Sequence, residues 1–347
     1  MATVISTPLS LKPHGSSSPF HILANKYSTK QSESNVDGLT LVFLHAVGLH
    51  RETWEVTIQK LLDLDQPSSA HKSIIRDTFS IEIPNHGESA LLNENAIAAQ
   101  FSDSWPTRII AESTHQFLTA GPGQGAGVNF ADRKIVGIGH SIGAAALFLM
   151  RDIEPAVRFH AIIAIEPGIS IKEHPATFKS SQMLTAWTWL RRDVWPTRKA
   201  AKKDLESSPV HSMWDPKVLD LFIKYGLRTH SAAKYKAPFA FAGVTTCASK
   251  AQEAACYRSE HLVVDAMNAY TLRTQELPVH IIFGKIHDVG PAELQDILSD
   301  KSACRYPASV SYIEGAGHLA VQQRPESVAS CISSILVGLN TKVAGRL

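Results

Sequence analysis

The apolar residues of this chain gather into short unbroken runs. Leu39-Thr40-Leu41-Val42-Phe43-Leu44, Ile135-Val136-Gly137-Ile138, Phe159-His160-Ala161-Ile162-Ile163-Ala164-Ile165 and Val279-His280-Ile281-Ile282-Phe283-Gly284 have the length and composition of buried strands. Further strands are expected over 20–27, 79–84 and 310–313. Helical patterns cover 52–64, 107–118 and 325–339, and another helix opens at Ala144. Strand and helix alternate, which predicts an α/β fold with a mostly parallel central sheet and helices on both faces. Residues 168–277 break that rhythm: they read as helical and hold Trp187, Trp189, Trp195, Trp214, Phe222 and Tyr225. The expected division is a first core part over 1–167, a helical cap over 168–277 and a second core part over 278–347. Most of the cap aromatics are expected to form the cap's own core.

The polar residues that matter lie where the apolar runs end. Ile135–Ile138 leads into Gly139-His140-Ser141-Ile142-Gly143 and then Ala144-Ala145-Ala146-Leu147, which is strand, sharp turn, helix with G-x-S-x-G at the turn. That context lifts a serine hydroxyl clear of the sheet and puts the N–H groups of a helix start behind it. The run 159–165 ends in Glu166, a carboxylate on the same sheet edge as Ser141. A charge at the end of a buried strand calls for a partner, and this one is placed to orient a histidine. Asp288, in the polar loop after 279–284, is the alternative acid. The last strand runs into Glu314-Gly315-Ala316-Gly317-His318, ahead of the closing helix, and none of the other 15 of the 16 histidines has such a setting. His86, in Asn85-His86-Gly87-Glu88-Ser89, reads as a loop-fixing residue, with Glu82, Gly87 and Ser89 forming a tight turn. The glycines of 121–127 follow a helix and do not open one, so they lack the context of a phosphate loop.

Composition narrows this further. At 347 residues, with a net charge of +2, the chain can bury a large core and offers no electrostatic footprint for nucleic acid. Cys247, Cys256, Cys304 and Cys331 show no metal-ligand spacing, and neither a metal nor an organic cofactor is expected. No apolar stretch reaches transmembrane length, and the N-terminal residues lack the pattern of a secretory signal, so a reduced intracellular protein is expected. Gly345-Arg346-Leu347 is a weak variant of the peroxisomal import tripeptide, giving an expected peroxisomal location through the import receptor, otherwise a cytoplasmic one. The cap stretch with Arg191, Arg192, Arg198, Lys199, Lys202 and Lys203 reads either as a solvated face or as a site for coenzyme A phosphates. A homodimer through the cap is left open.

The sequence resembles the α/β-hydrolase superfamily over roughly 20–340, through His45-Ala46-Val47-Gly48, the turn at Asn85, Gly139–Gly143 and the loop ending at His318. FLHAVGLHRETWE, NHGESALLN, GIGHSIG, IEP and WDPKVLDLFIKYGLR are similar to a fungal branch. That branch holds toxin-cluster hydrolases of the AK-toxin type, yeast peroxisomal lipase and the acyl-CoA hydrolase of mycophenolic acid biosynthesis. The resemblance implies the α/β-hydrolase fold and a serine hydrolase of an ester or acyl-CoA thioester in fungal secondary metabolism. It implies Ser141 as nucleophile, His318 as base, Glu166 as acid with Asp288 the alternative, and the N–H groups of Val47 and Ile142 as the oxyanion site. Ala46 departs from the usual glycine of that loop. His140, Trp187 and Trp189 are expected to contact the substrate. Two other readings stay open: a non-catalytic ligand-binding member of the fold, and a lyase or C–C hydrolase with the same triad.

Overall fold

The computed structural model describes residues 2–14, 19–67, 73–100, 103–258 and 260–344. The expected import tripeptide Gly345-Arg346-Leu347 lies outside the described residues. The strands, in chain order, are β1 (Ile5–Leu11), β2 (Ile22–Ser28), β3 (Leu39–Leu44), β4 (Ile75–Ile81), β5 (Lys134–His140), β6 (Phe159–Ile165), β7 (Val194–Trp195), β8 (Leu227–Thr229), β9 (Val244–Thr246), β10 (Val279–Gly284) and β11 (Ser309–Ile313). Eight of them form one sheet in the order β1-β2-β4-β3-β5-β6-β10-β11. β1 and β2 are antiparallel to their neighbours, and every pair from β4 to β11 is parallel. This is the α/β-hydrolase fold that the sequence leads one to expect.

Residue parity decides which side of the sheet each strand residue serves. In β3, Val42 and Leu44 join the core beneath helices Thr107–Thr119 and Ile142–Leu149. Leu39, Leu41 and Phe43 join the opposite core, beneath helices Glu55–Leu64 and Pro325–Ala344. All six residues of β3 are buried, as an interior parallel strand requires.

Two strand expectations shift. β4 starts at Ile75, four residues before the apolar run at Phe79, because Arg76 and Asp77 mask the pattern. Asp77 is nonetheless buried, accepting from Thr40 Oγ1 at 2.6 Å and pairing with Arg133 at 3.1 Å. β1 carries no apolar signal, since as the sheet's edge it keeps most of its side chains in water.

The segment between β6 and β10 contains helices together with a three-stranded antiparallel sheet, β7-β9-β8, that helical periodicity does not foreshadow. Trp195, Trp214 and Phe222 pack there with Leu205, Val218 and Leu219, and this cluster reaches Ala46 and Leu49 at the end of β3. The segment's last helix, Glu260–Glu276, behaves differently: Ala266, Met267, Ala269 and Tyr270 pack into the main core with helix Ile142–Leu149. No described helix is long and apolar enough to cross a membrane.

Candidate active site

β5 ends in a turn that forces Ser141 to φ 54° and ψ −117°, a conformation that non-glycine residues rarely adopt. The surroundings hold it there. Ser141 N–H donates to Ile165 O at 3.0 Å, and Ser141 O accepts from Ala144 N–H and Gly168 N–H, both at 3.1 Å. The flanking glycines are obligatory by contact: a Cβ on Gly139 would lie 2.4 Å from Ala144 N, and one on Gly143 2.5 Å from Leu44 O. Strand, helix and the neighbouring β3 therefore approach each other with no room for a side chain. Strain of this kind, about 1–3 kcal/mol per residue, survives only where packing over-determines the backbone.

Ser141 Oγ stands 3.0 Å from His318 Nε2, and His318 Nδ1 stands 3.3 Å from Glu166 Oε2. Glu166 sits just beyond β6 at φ 44°, and its other oxygen accepts Gly284 N–H at 2.6 Å. The carboxylate is thus shared between a backbone donor at the end of β10 and the imidazole ring.

Asp288, the alternative acid, contacts the backbone of His318 and not its ring, accepting His318 N–H at 2.8 Å. A Cβ on Gly317 would come within 2.2 Å of Asp288 Oδ2, so the glycine admits this carboxylate beneath the loop. Gln323 Oε1 accepts Gly317 N–H at 2.7 Å and braces the loop from its other side.

Val47 and Ile142 border the same cavity as Ser141, and neither backbone N–H meets an acceptor among the described residues. Two buried histidines shape the Val47 loop. His86 Nε2 accepts Gly48 N–H at 2.9 Å, and its Nδ1–H donates to Asn85 Oδ1 at 2.7 Å. His45 Nδ1–H donates to its neighbour's carbonyl, Ala46 O, while His45 Nε2 accepts Ile83 N–H. Burial pushes His45 down to about 3 and His86 well below the usual imidazole range, so both remain neutral and keep these tautomers. The loop-fixing role read for His86 has this physical form. Gly87, at φ 49°, leaves room for Glu82, whose Oε2 accepts Ser89 N–H and pairs with Arg51 Nη1.

The structure takes three expected substrate contacts away from the cavity. His140 shares the parity of Val136 and Ile138 and so faces the opposite side of the sheet. It is fully buried, and its Nε2–H donates to His318 O at 2.8 Å. Burial, with a smaller contribution from the nearby His318, lowers it to about 3. On helix Ala176–Leu190 the cavity is bordered by Thr177, Ser180, Ser181 and Leu184, an i, i+3, i+4, i+7 stripe. Trp187 and Trp189 lie beyond it toward the helix's C-terminal end, Trp189 also turned away from the stripe, and both are about half exposed.

The cavity itself measures about 160 Å³. Cys256 also borders it, but burial pushes its thiol up to about 12, so it offers no competing nucleophile. The basic stretch between 191 and 203 is turned to local use: Arg191 pairs with Glu253 at 2.6 Å, Lys202 with Asp220 at 2.5 Å, and Arg198 donates to Leu227 O at 2.8 Å. None of its six residues borders the cavity. Among the described residues no cluster of three or more His, Cys, Asp or Glu could hold a metal ion.

A strained serine between strand and helix, within hydrogen-bond reach of a histidine that meets a carboxylate, is a recurrent hydrolase arrangement. Residues 41–330 match the alpha/beta hydrolase family (Abhydrolase_6). The chain belongs to that family. It is similar to the type I acyl-CoA thioesterase mpaH of Penicillium roqueforti, 26 % identical over 196 residues, which are 55 % of this chain and 40 % of that protein. It is also similar to the abhydrolase domain-containing protein AFT2-1 of Alternaria alternata, 35 % identical over 96 residues, 27 % of this chain and 34 % of that one. The match therefore spans less than half the length of these curated relatives. The fold superposes on the peroxisomal alpha-beta-hydrolase Lpx1 of Saccharomyces cerevisiae with a TM-score of 0.73 at 18 % identity, covering 98 % of this chain and 90 % of that one.

Proposed function

We propose that this family member is a hydrolase that cleaves an ester or thioester through an acyl-enzyme on Ser141. His318 Nε2 takes the serine proton as Oγ attacks the carbonyl, then returns a proton to the departing alcohol or thiol. Glu166 holds the imidazole with Nδ1 protonated and balances the imidazolium. The N–H groups of Val47 and Ile142 bind the oxyanion, each such donor contributing about 3 kcal/mol in comparable enzymes. Water, activated by the same histidine, then releases the acid. The single observation that carries this reading is the 3.0 Å contact between Ser141 Oγ and His318 Nε2 on a strained strand-to-helix turn.

In this reading the segment 168–277 acts as a cap on the sheet edge, with the stripe from Thr177 to Leu184 as its contribution to the substrate site. The thioesterase named among the relatives supports thioesters as candidate substrates. The basic stretch does not add to that support, because Arg191, Arg198 and Lys202 are bound within the segment. The deciding experiment is single-turnover hydrolysis of matched esters and acyl-CoA thioesters, with thiol and acid release followed separately, in wild type and Ser141→Ala. A fluorophosphonate should label wild type at Ser141. Equal rates in the two proteins, or no label, would remove the proposal.

A further inference from the structure

Size and charge of the cavity together narrow the substrate. Its apolar wall comes from Ile169, Leu184, Val263, Phe283, Ile286 and Leu298. An apolar cavity of about 150 Å³ accommodates a benzene molecule, and this one measures about 160 Å³. The cavity is partly open to solvent, and the space within it suits a group of roughly six to eight heavy atoms.

The charged side chains around it are of one sign. Glu166 and Asp288 border the cavity, and no lysine or arginine does among the described residues. Lys179, on the lining helix itself, is exposed and does not border the cavity, and Arg191 and Arg192, just past the helix end, pair with Glu253 and Asp204. A second carboxylate on the substrate would come near the largely covered Glu166 and the exposed Asp288 with no lysine or arginine to balance it, which is unfavourable. The lining imidazoles are His287, which is exposed, and His318, which contacts Ser141 and Glu166.

We infer that this cavity takes a compact, uncharged acyl group, such as a short branched, cyclic or aromatic one, and rejects long-chain acyl groups and acyl groups ending in a carboxylate. The inference rests on the hydrolase reading above, with the acyl side of the scissile bond lying in the cavity.

The test is a p-nitrophenyl ester series at pH 8, where free imidazole is neutral. Hexanoyl and glutaryl esters form a near-isosteric pair that differs by one carboxylate. Benzoyl, decanoyl and palmitoyl esters vary size, and hexanoate esters of methanol through octanol vary the alcohol. Hexanoyl and benzoyl esters should exceed glutaryl in kcat/KM by about 100-fold or more, and palmitoyl by at least about 30-fold. Ser181→Lys, which brings an ammonium to the lining stripe, should raise the glutaryl-to-hexanoyl ratio at least about tenfold. Leu184→Ala should move the size optimum toward decanoyl, and it supplies the second readout if the lysine variant does not fold. Equal rates on glutaryl and hexanoyl esters, a palmitoyl preference, or size selectivity that follows the alcohol would overturn the inference while leaving the hydrolase intact. Absence of hydrolysis on every ester, with no fluorophosphonate label, would instead remove the hydrolase reading and the inference with it.

Discussion

The loops at the sheet edge and the segment 168–277 meet at one cavity but are built differently. On the sheet side each polar group of the site is held by a backbone partner. Glu166 accepts Gly284 N–H, Asp288 accepts His318 N–H, and His140 donates to His318 O. His86 fixes Gly48, next to Val47. On the other side, helix Ala176–Leu190 offers short hydroxyls and one leucine, of which Ser180 bonds across to Val289 O at 2.9 Å. The difference suits a division of labour. Chemistry needs groups fixed to within fractions of an ångström, so it resides where strand ends and buried bonds determine position. Selection by size and charge needs only a surface of the right shape, which a helix on an inserted segment can supply.

The sharpest break of this comparison comes from the two sides' nucleophile-bearing and lining serines. Ser141→Ala should lower kcat by about 10⁴–10⁶-fold with KM little changed. Ser181→Ala, on the lining helix, should alter KM by no more than about threefold. Comparable losses from both, measured by steady-state kinetics on one ester, would erase the distinction. Next in size are the two carboxylates. Glu166→Gln should cost about 10³–10⁴-fold in kcat, because an amide disturbs the tautomer and leaves the imidazolium unbalanced. Asp288→Asn should cost less than about tenfold, since the asparagine carbonyl can still accept His318 N–H. A reversal of that order would transfer the triad acid to Asp288.

The sheet edge was far more legible in the sequence than the segment above it. Strands β3, β6 and β10 match their apolar runs residue for residue, because interior parallel strands have no polar face to blur the pattern. Ser141 and His318 were recognisable because turn chemistry on either side of them is local. The choice of Glu166 over Asp288 at the ring depends on two loops 152 positions apart, after β6 and β11, meeting past the end of β10, yet the uncompensated charge at the end of β6 pointed to it. His140 was misread for lack of a parity argument: it is two residues beyond Ile138 and must face the same way. Trp187 and Trp189 were chosen for their size, but position on the helix determines contact: Trp187 continues the stripe past its last lining residue, Leu184, and Trp189 is turned away from it. The small sheet β7-β9-β8 went unseen because its strands are two or three residues long, too short for any period.

Acid stability extends the comparison to the histidines. His45 and His140, on the sheet side, are held neutral by burial down to about 3, and His211, in the segment, down to about 4. In the unfolded chain each protonates near pH 6.5. Between these values the unfolded state binds more protons, so stability is complete above about pH 6.5 and falls as the pH drops toward 4. Each buried histidine contributes about 1.4 kcal/mol per pH unit in that window. Urea midpoints at pH 7.5, 6 and 5 should decline accordingly. His140→Gln should flatten the decline by one histidine's share while still offering a donor to His318 O. An unchanged slope would mean that His140 is already charged in the folded protein.

The smallest expected effect concerns the basic stretch. If the segment used these residues to hold coenzyme A phosphates, their loss would raise KM for thioesters far more than for simple esters. The bonds they make favour another outcome. Arg198 donates to carbonyls at the end of helix Pro216–Tyr225 and the start of β8, so it ties two elements of the segment together. Arg198→Ala should therefore lower stability by about 1–2 kcal/mol through unsatisfied carbonyls. Lys202→Ala breaks an exposed, solvent-screened pair with Asp220 and should leave the urea midpoint essentially unchanged. For both variants the ratio of thioester to ester KM should stay within about twofold of wild type. A selective rise in thioester KM, lost at high salt, would show these side chains reaching the substrate, and would make the segment a charged partner in binding rather than a neutral wall.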